Sequence, residues 1–128
     1  MSTIIAVLKR EPGSDRIEKV LESTRDLHMS AVNHLETCQI VDCGRTGAPS
    51  PDLDTLFAEL GIQIEAFTAD HALIARAAFN RFGKGMGSRA GLNICDCCAY
   101  ALAKATGEPL LFVGDDFTHT DIPPALPA

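Results

Sequence analysis

Apolar positions recur at helical spacing through most of the chain. Ile17, Val20 and Leu21 follow a Glu11-Pro12-Gly13 turn, and their spacing predicts a helix over 14–24. Ser30 is placed to cap a second helix running through Asp42, with Val32, Leu35, Ile40 and Val41 on its inner side and Gly44 to end it. Ser50-Pro51 opens a third, whose Leu53, Leu56, Phe57 and Leu60 form an apolar face closed by Gly61. At Ile62-Gln63-Ile64-Glu65-Ala66-Phe67 the period drops to two, which predicts a strand, and Thr68 then caps a helix to about Phe82. Asn93 caps the next helix, with Asp96 in its first turn, Ala99, Leu102 and Ala103 on its buried side and Gly107 as its stop. Leu110-Leu111-Phe112-Val113 is apolar at every position, as in a strand covered on both faces, and two acids, Asp115 and Asp116, follow it directly after Gly114.

Helices alternating with short strands predict an α/β domain with a mainly parallel central sheet, and in such sheets sites are built beyond the carboxyl ends of strands. The segment Gly83-Lys84-Gly85-Met86-Gly87-Ser88-Arg89-Ala90-Gly91 carries two cations and little to pack, which reads as a mobile basic loop. The Pro-rich tail from Pro123 reads as a loosely held terminus.

Length limits the architecture to one core: 128 residues make a single domain, 1–128. With 46% hydrophobic and 22% charged residues, disorder and fibrous repeats are excluded. A net charge of -6 gives no basic footprint for nucleic acid, but clustered carboxylates awaiting cations would themselves contribute negative charge. No apolar stretch approaches the ~20 residues of a membrane span, and no leader pattern is visible, so a soluble cytoplasmic protein is expected. Five cysteines, an odd number, are expected to be reduced thiols.

The acids carry the candidate chemistry. Glu36 has Val32 and Ile40 one turn to either side, so the periodicity puts a carboxylate on the inward stripe, where it needs a salt bridge or a metal. Asp96 suits a helix N-terminus for electrostatic reasons alone, and Asp115-Asp116 would pass as a solvated turn. Taken together, acids on separate elements converging at one sheet edge are what Mg2+ or Mn2+ requires, and all-oxygen ligation points to hydrolysis by metal-activated water. Cys95, Cys97 and Cys98 raise a rival zinc or redox reading, but no second ligand pair at suitable spacing accompanies them, and on a helix they can pack as small hydrophobes. The histidines form no nucleophile pattern.

Several segments in this order resemble the PIN-domain ribonucleases, and specifically the VapC-type toxins. They are Ser2-Thr3-Ile4-Ile5-Ala6-Val7-Leu8 through Gly13, Leu35-Glu36-Thr37, Gly91-Leu92-Asn93 through Asp96-Cys97, and Pro109-Leu110-Leu111-Phe112 through Asp115-Asp116-Phe117. The resemblance spans essentially the whole chain and is close from Gly83 to Ile122. It implies a three-layer α/β/α fold, a helix over 2–9, and metal ligands at Glu36, Asp96 and Asp115, with Asp116 adjacent. Ser2, Thr3 and Asn93 are implied as polar groups behind the ligands. On the residues alone, Lys84 and Arg89 of the basic loop are candidate contacts to RNA phosphates, against a simple reading as solvated cations. It further implies a homodimer, a VapB-type antitoxin partner and a structured RNA such as tRNA as substrate. The family's first Asp would lie just upstream of Met1, in a strand absent from the written sequence, so the first strand is expected to be truncated. The alternative is a catalytically impaired scaffold that binds an antitoxin without cutting RNA.

Overall fold

In the computed structural model the described residues are 14–23, 27–43, 50–108, 117 and 119–121. The chain divides into two units, Met1–Glu65 and Ala66–Ala128. The expected helix over 2–9, the strand at 110–113, Ser2, Thr3, Asp115 and Asp116 lie outside the described residues.

The first unit contains α1 (Ser14–Ser23), β1 (His28–Ser30), α2 (Ala31–Asp42), α3 (Ser50–Leu60) and β2 (Gln63–Glu65). Leu21 of α1 is buried, as its spacing predicted. β1 and β2 pair in parallel, His28 opposite Gln63 and Ser30 opposite Glu65, and the Gln63 N–H donates to the Leu27 carbonyl at 2.8 Å. β1 has no alternation of its own to announce it. β2 is shorter than the predicted strand, and among the described residues it pairs with the three residues of β1. His28 Nδ1 and Glu65 Oε1, 2.7 Å apart, add a side-chain link between the two strands.

Ser30 ends β1 and also caps α2, its Oγ accepting from the Val32 N–H at 3.3 Å. The face of α2 matches expectation at Val41, which is buried, and departs from it at two positions: Thr37 is buried one turn before Val41, while Leu35 is 68% exposed and lines an open groove with Cys38, Gln39, Asp42 and Cys43. Glu36, beside Thr37, is half-buried. Against α2 packs α3, whose buried Leu53 and Phe57 match the predicted apolar face; the His34 ring meets Phe57 edge-on at 4.9 Å.

The second unit is built on α4 (Ala69–Phe82) and α5 (Ile94–Thr106), which pack against each other. Thr68 caps α4 through the His71 N–H at 3.1 Å. Small residues, Ala75 and Ala78 of α4 with Cys97, Ala101 and Ala103 of α5, share one buried core with the larger Phe82, Leu92, Tyr100 and Phe117. Gly107, at φ 72°, ends α5 in the left-handed conformation that a glycine adopts without strain.

Candidate metal and nucleic-acid site

Asp96 is fixed by the start of its own helix. Asn93 Oδ1 accepts from the Asp96 N–H at 2.8 Å, and Asp96 Oδ2 accepts from the Asn93 N–H at 3.0 Å, a reciprocal capping box. The arrangement arises because two acceptor side chains three residues apart satisfy two backbone donors that the first helical turn leaves over. Its effect is to orient the Asp96 carboxylate from behind at the positive end of α5. Asn93 therefore caps α5, as its place before the helix predicted.

The loop before this cap is more ordered than its composition suggests. Gly83 and Leu92 form a parallel bridge; the Lys84 N–H donates to the Leu92 carbonyl at 2.9 Å and the Leu92 N–H to the Phe82 carbonyl at 2.9 Å. The neck is closed, and Gly85 and Gly87, at φ 86° and 78°, carry the chain round its tip. Lys84 and Arg89 are exposed on it, available to an anionic partner.

A hard divalent cation needs oxygen donors, and Glu36 and Asp96 are both half-buried carboxylates, so the donor chemistry fits Mg2+ or Mn2+. Glu36 belongs to the first unit and Asp96 to the second. Among the described residues no group of three or more His, Cys, Asp or Glu side chains is placed to hold a metal ion. The further acids expected of the site, Asp115 and Asp116, lie outside those residues.

Two of the three cysteines of α5 behave as packing residues. Cys97 and Cys98 are buried, and burial, with Asp96 and Cys98 nearby, pushes the Cys97 thiol up to about 11, so it stays protonated at neutral pH. A thiolate ligand or redox cysteine requires the opposite shift.

Sequence reasoning missed a cluster around Asp121. Tyr100 Oη donates to Asp121 Oδ1 at 2.6 Å, Lys104 Nζ donates to Oδ2 at 2.8 Å, and Arg81 Nη1 lies 3.6 Å from Oδ2. Lys104 first, then Tyr100, hold the Asp121 carboxyl down at about 2. Burial first, then the bond to Asp121, pushes Tyr100 up to about 12. No local signal marks this cluster, because Asp121 lies 21 and 17 residues from its α5 partners.

Residues 2–123 match the family profile described as PIN domain. A VapC ribonuclease of Mycobacterium bovis is 45% identical over 124 residues, covering 97% of this chain and 95% of the relative. Ribonuclease VapC30 of Mycobacterium tuberculosis is 43% identical over 122 residues, with 94% and 92% covered. Ribonuclease VapC of Mycolicibacterium smegmatis is 39% identical over 122 residues, with 94% and 93% covered.

Proposed function

The chain belongs to the PIN-domain family, and from that membership we propose that it is a metal-dependent endoribonuclease, the toxin of a toxin–antitoxin pair. The observation that carries the reading is identity of 39% to 45%, over nearly the full length of both partners, to proteins named VapC ribonucleases. The family match also runs through both units, which supports one domain over 1–128.

In this reading Glu36, Asp96 and Asp115, with Asp116 beside it, hold Mg2+ or Mn2+. The bound cation would supply Lewis-acid activation of water and neutralise charge on the phosphodiester. Asn93 keeps the Asp96 carboxylate aimed through the capping box, and Ser2 and Thr3 are assigned to the polar groups behind the ligands. Lys84 and Arg89 position RNA by its phosphates, which fixes register without reading sequence. The partners are a VapB-type antitoxin, a second copy of the chain, and a structured RNA such as tRNA, in the cytoplasm. Among the described residues no helix is long and apolar enough to cross a membrane.

The test is Mn2+-dependent cleavage of RNA by the chain beside Asp96→Asn. Asparagine can still accept from the Asn93 N–H, so this variant keeps the cap while losing the anionic ligand. Activity is expected to fall by about 100-fold or more, since even groups behind a metal's ligands cost 10–100-fold. Equal cleavage by both proteins refutes the metal assignment. No cleavage by a folded wild-type chain that still binds its antitoxin favours the impaired scaffold.

A further inference from the structure

The segment joining α4 to α5 exposes two large apolar side chains that its own fold does not use. Met86 is 48% exposed at the loop tip, and Ile94, two residues past the neck at Leu92, is 74% exposed. The tip is shaped by the backbone: Gly85 and Gly87, on either side of Met86, have φ of 86° and 78°, and the Met86 N–H donates to the Gly83 carbonyl at 3.1 Å. Beyond it, Ser88 Oγ accepts from the Ala90 N–H at 3.1 Å, while Ala90 and Leu92 are buried and supply the packing. Ile94 opens α5 after Asn93 has capped it. One exposed apolar residue is ordinary, but two on one ordered segment, both idle in the fold, point to a partner.

Charge says which partner. Lys84 and Arg89 are exposed on the same segment, and no acid occurs from Lys84 to Ile94 in a chain whose net charge is -6. Cations and apolar side chains therefore interleave, as phosphates and bases do along a nucleic-acid strand. Cations meet the phosphates, and apolar side chains, methionine and isoleucine among them, wedge against base faces. In an A-form duplex the base faces are stacked inside, and they are reached only in loops, bulges and ends. We propose that Met86 and Ile94 bind unpaired nucleobases, so that the chain takes RNA at a single-stranded segment with Lys84 and Arg89 on the flanking phosphates. The inference rests on the ribonuclease reading given above. It brings the strand to the end of α5 that carries Asp96.

The experiment is fluorescence anisotropy of two labelled RNAs, a hairpin with an unpaired loop and a fully paired duplex of the same nucleotide count, with a chelator present so that nothing is cut. The full-length proteins are the wild type, the double variant Met86→Ala with Ile94→Ala, and Met86→Leu. Melting curves establish that each is folded at the temperature used. The wild type is expected to prefer the hairpin on the order of tenfold. The double variant should lose that preference by losing affinity for the hairpin alone, with the slope of log affinity against log salt unchanged, because no phosphate contact is removed. Met86→Leu, which keeps an apolar side chain of similar size, should bind as the wild type does. Should the double variant fold poorly, Met86→Ala alone decides by a smaller loss in the same direction. Equal wild-type affinity for the two RNAs, or an undiminished preference in the folded double variant, overturns the base contacts and leaves the RNA reading standing. Weakened antitoxin binding with both RNAs held as before assigns the surface to the antitoxin and overturns the proposal. No binding of either RNA by the folded wild type overturns both readings.

Discussion

Tyr100 is the single tyrosine of a chain without tryptophan, so its ionisation can be followed by ultraviolet absorbance with no competing signal. The native protein is expected to titrate near about 12 and the unfolded protein near the ordinary value of 10.0. In Asp121→Ala the midpoint should drop only partway, since burial is the larger cause and the bond to Asp121 the smaller. A native midpoint at the ordinary value would mean the ring is not buried as described. The sign for stability follows from the same shift. A pKa raised in the folded state contributes stability that is complete below about 10 and is lost as pH rises toward about 12. Asp121 works the other way: lowered to about 2, it contributes above the ordinary 3.8 and loses that contribution as pH falls toward 2. None of this was legible in the sequence, where Asp121 looks like one more acid near a Pro-rich tail. Asp96 was legible because its Asn93 partner lies three residues away.

The elements divide along the same line between local and distant causes. Ser30, Thr68 and Asn93 all cap the helices they were expected to cap, because a cap is written in a few adjacent residues. Asn93→Ala should therefore cost about 1 kcal/mol, read from the urea midpoint of unfolding. Gly83→Ala should cost more, about 2–3 kcal/mol. Its new Cβ would fall on the Phe79 carbonyl oxygen and within 2.6 Å of the Phe79 ring, at the closed neck of the basic loop. A neutral Gly83→Ala would show that the neck opens freely. β1, by contrast, pairs with β2 among the described residues, and His28-Met29-Ser30 has no periodicity to reveal that. The face of α2 was read correctly at Val41 and wrongly at Leu35, because hydrophobicity alone favours a leucine over the β-branched but polar Thr37 that is buried beside Val41.

At the scale of the whole molecule, a net charge of -6 must be reconciled with the proposed RNA substrate. A polyanion approaching an acidic protein needs local cations, and the ordered loop offers Lys84 and Arg89. Replacing both with Ala should weaken RNA binding and reduce the slope of log affinity against log salt by about 1 to 2, as expected for the loss of two phosphate contacts. An unchanged slope would remove the loop from the interface. The family and the α/β character were legible from the order of motifs along the chain, since such order survives where side-chain detail does not; the Asp121 tie belongs to this molecule-wide level and needed coordinates. That tie also bears on the order of assembly. The contact of Phe82 with Tyr100 and the bond from Tyr100 to Asp121 close loops of similar length, 18 and 21 residues, so sequence separation alone does not rank them in time. The rates of Asp121→Ala decide: if only unfolding quickens, the bond forms after the barrier and acts as a latch on the native state, and if folding slows, it belongs to the nucleus.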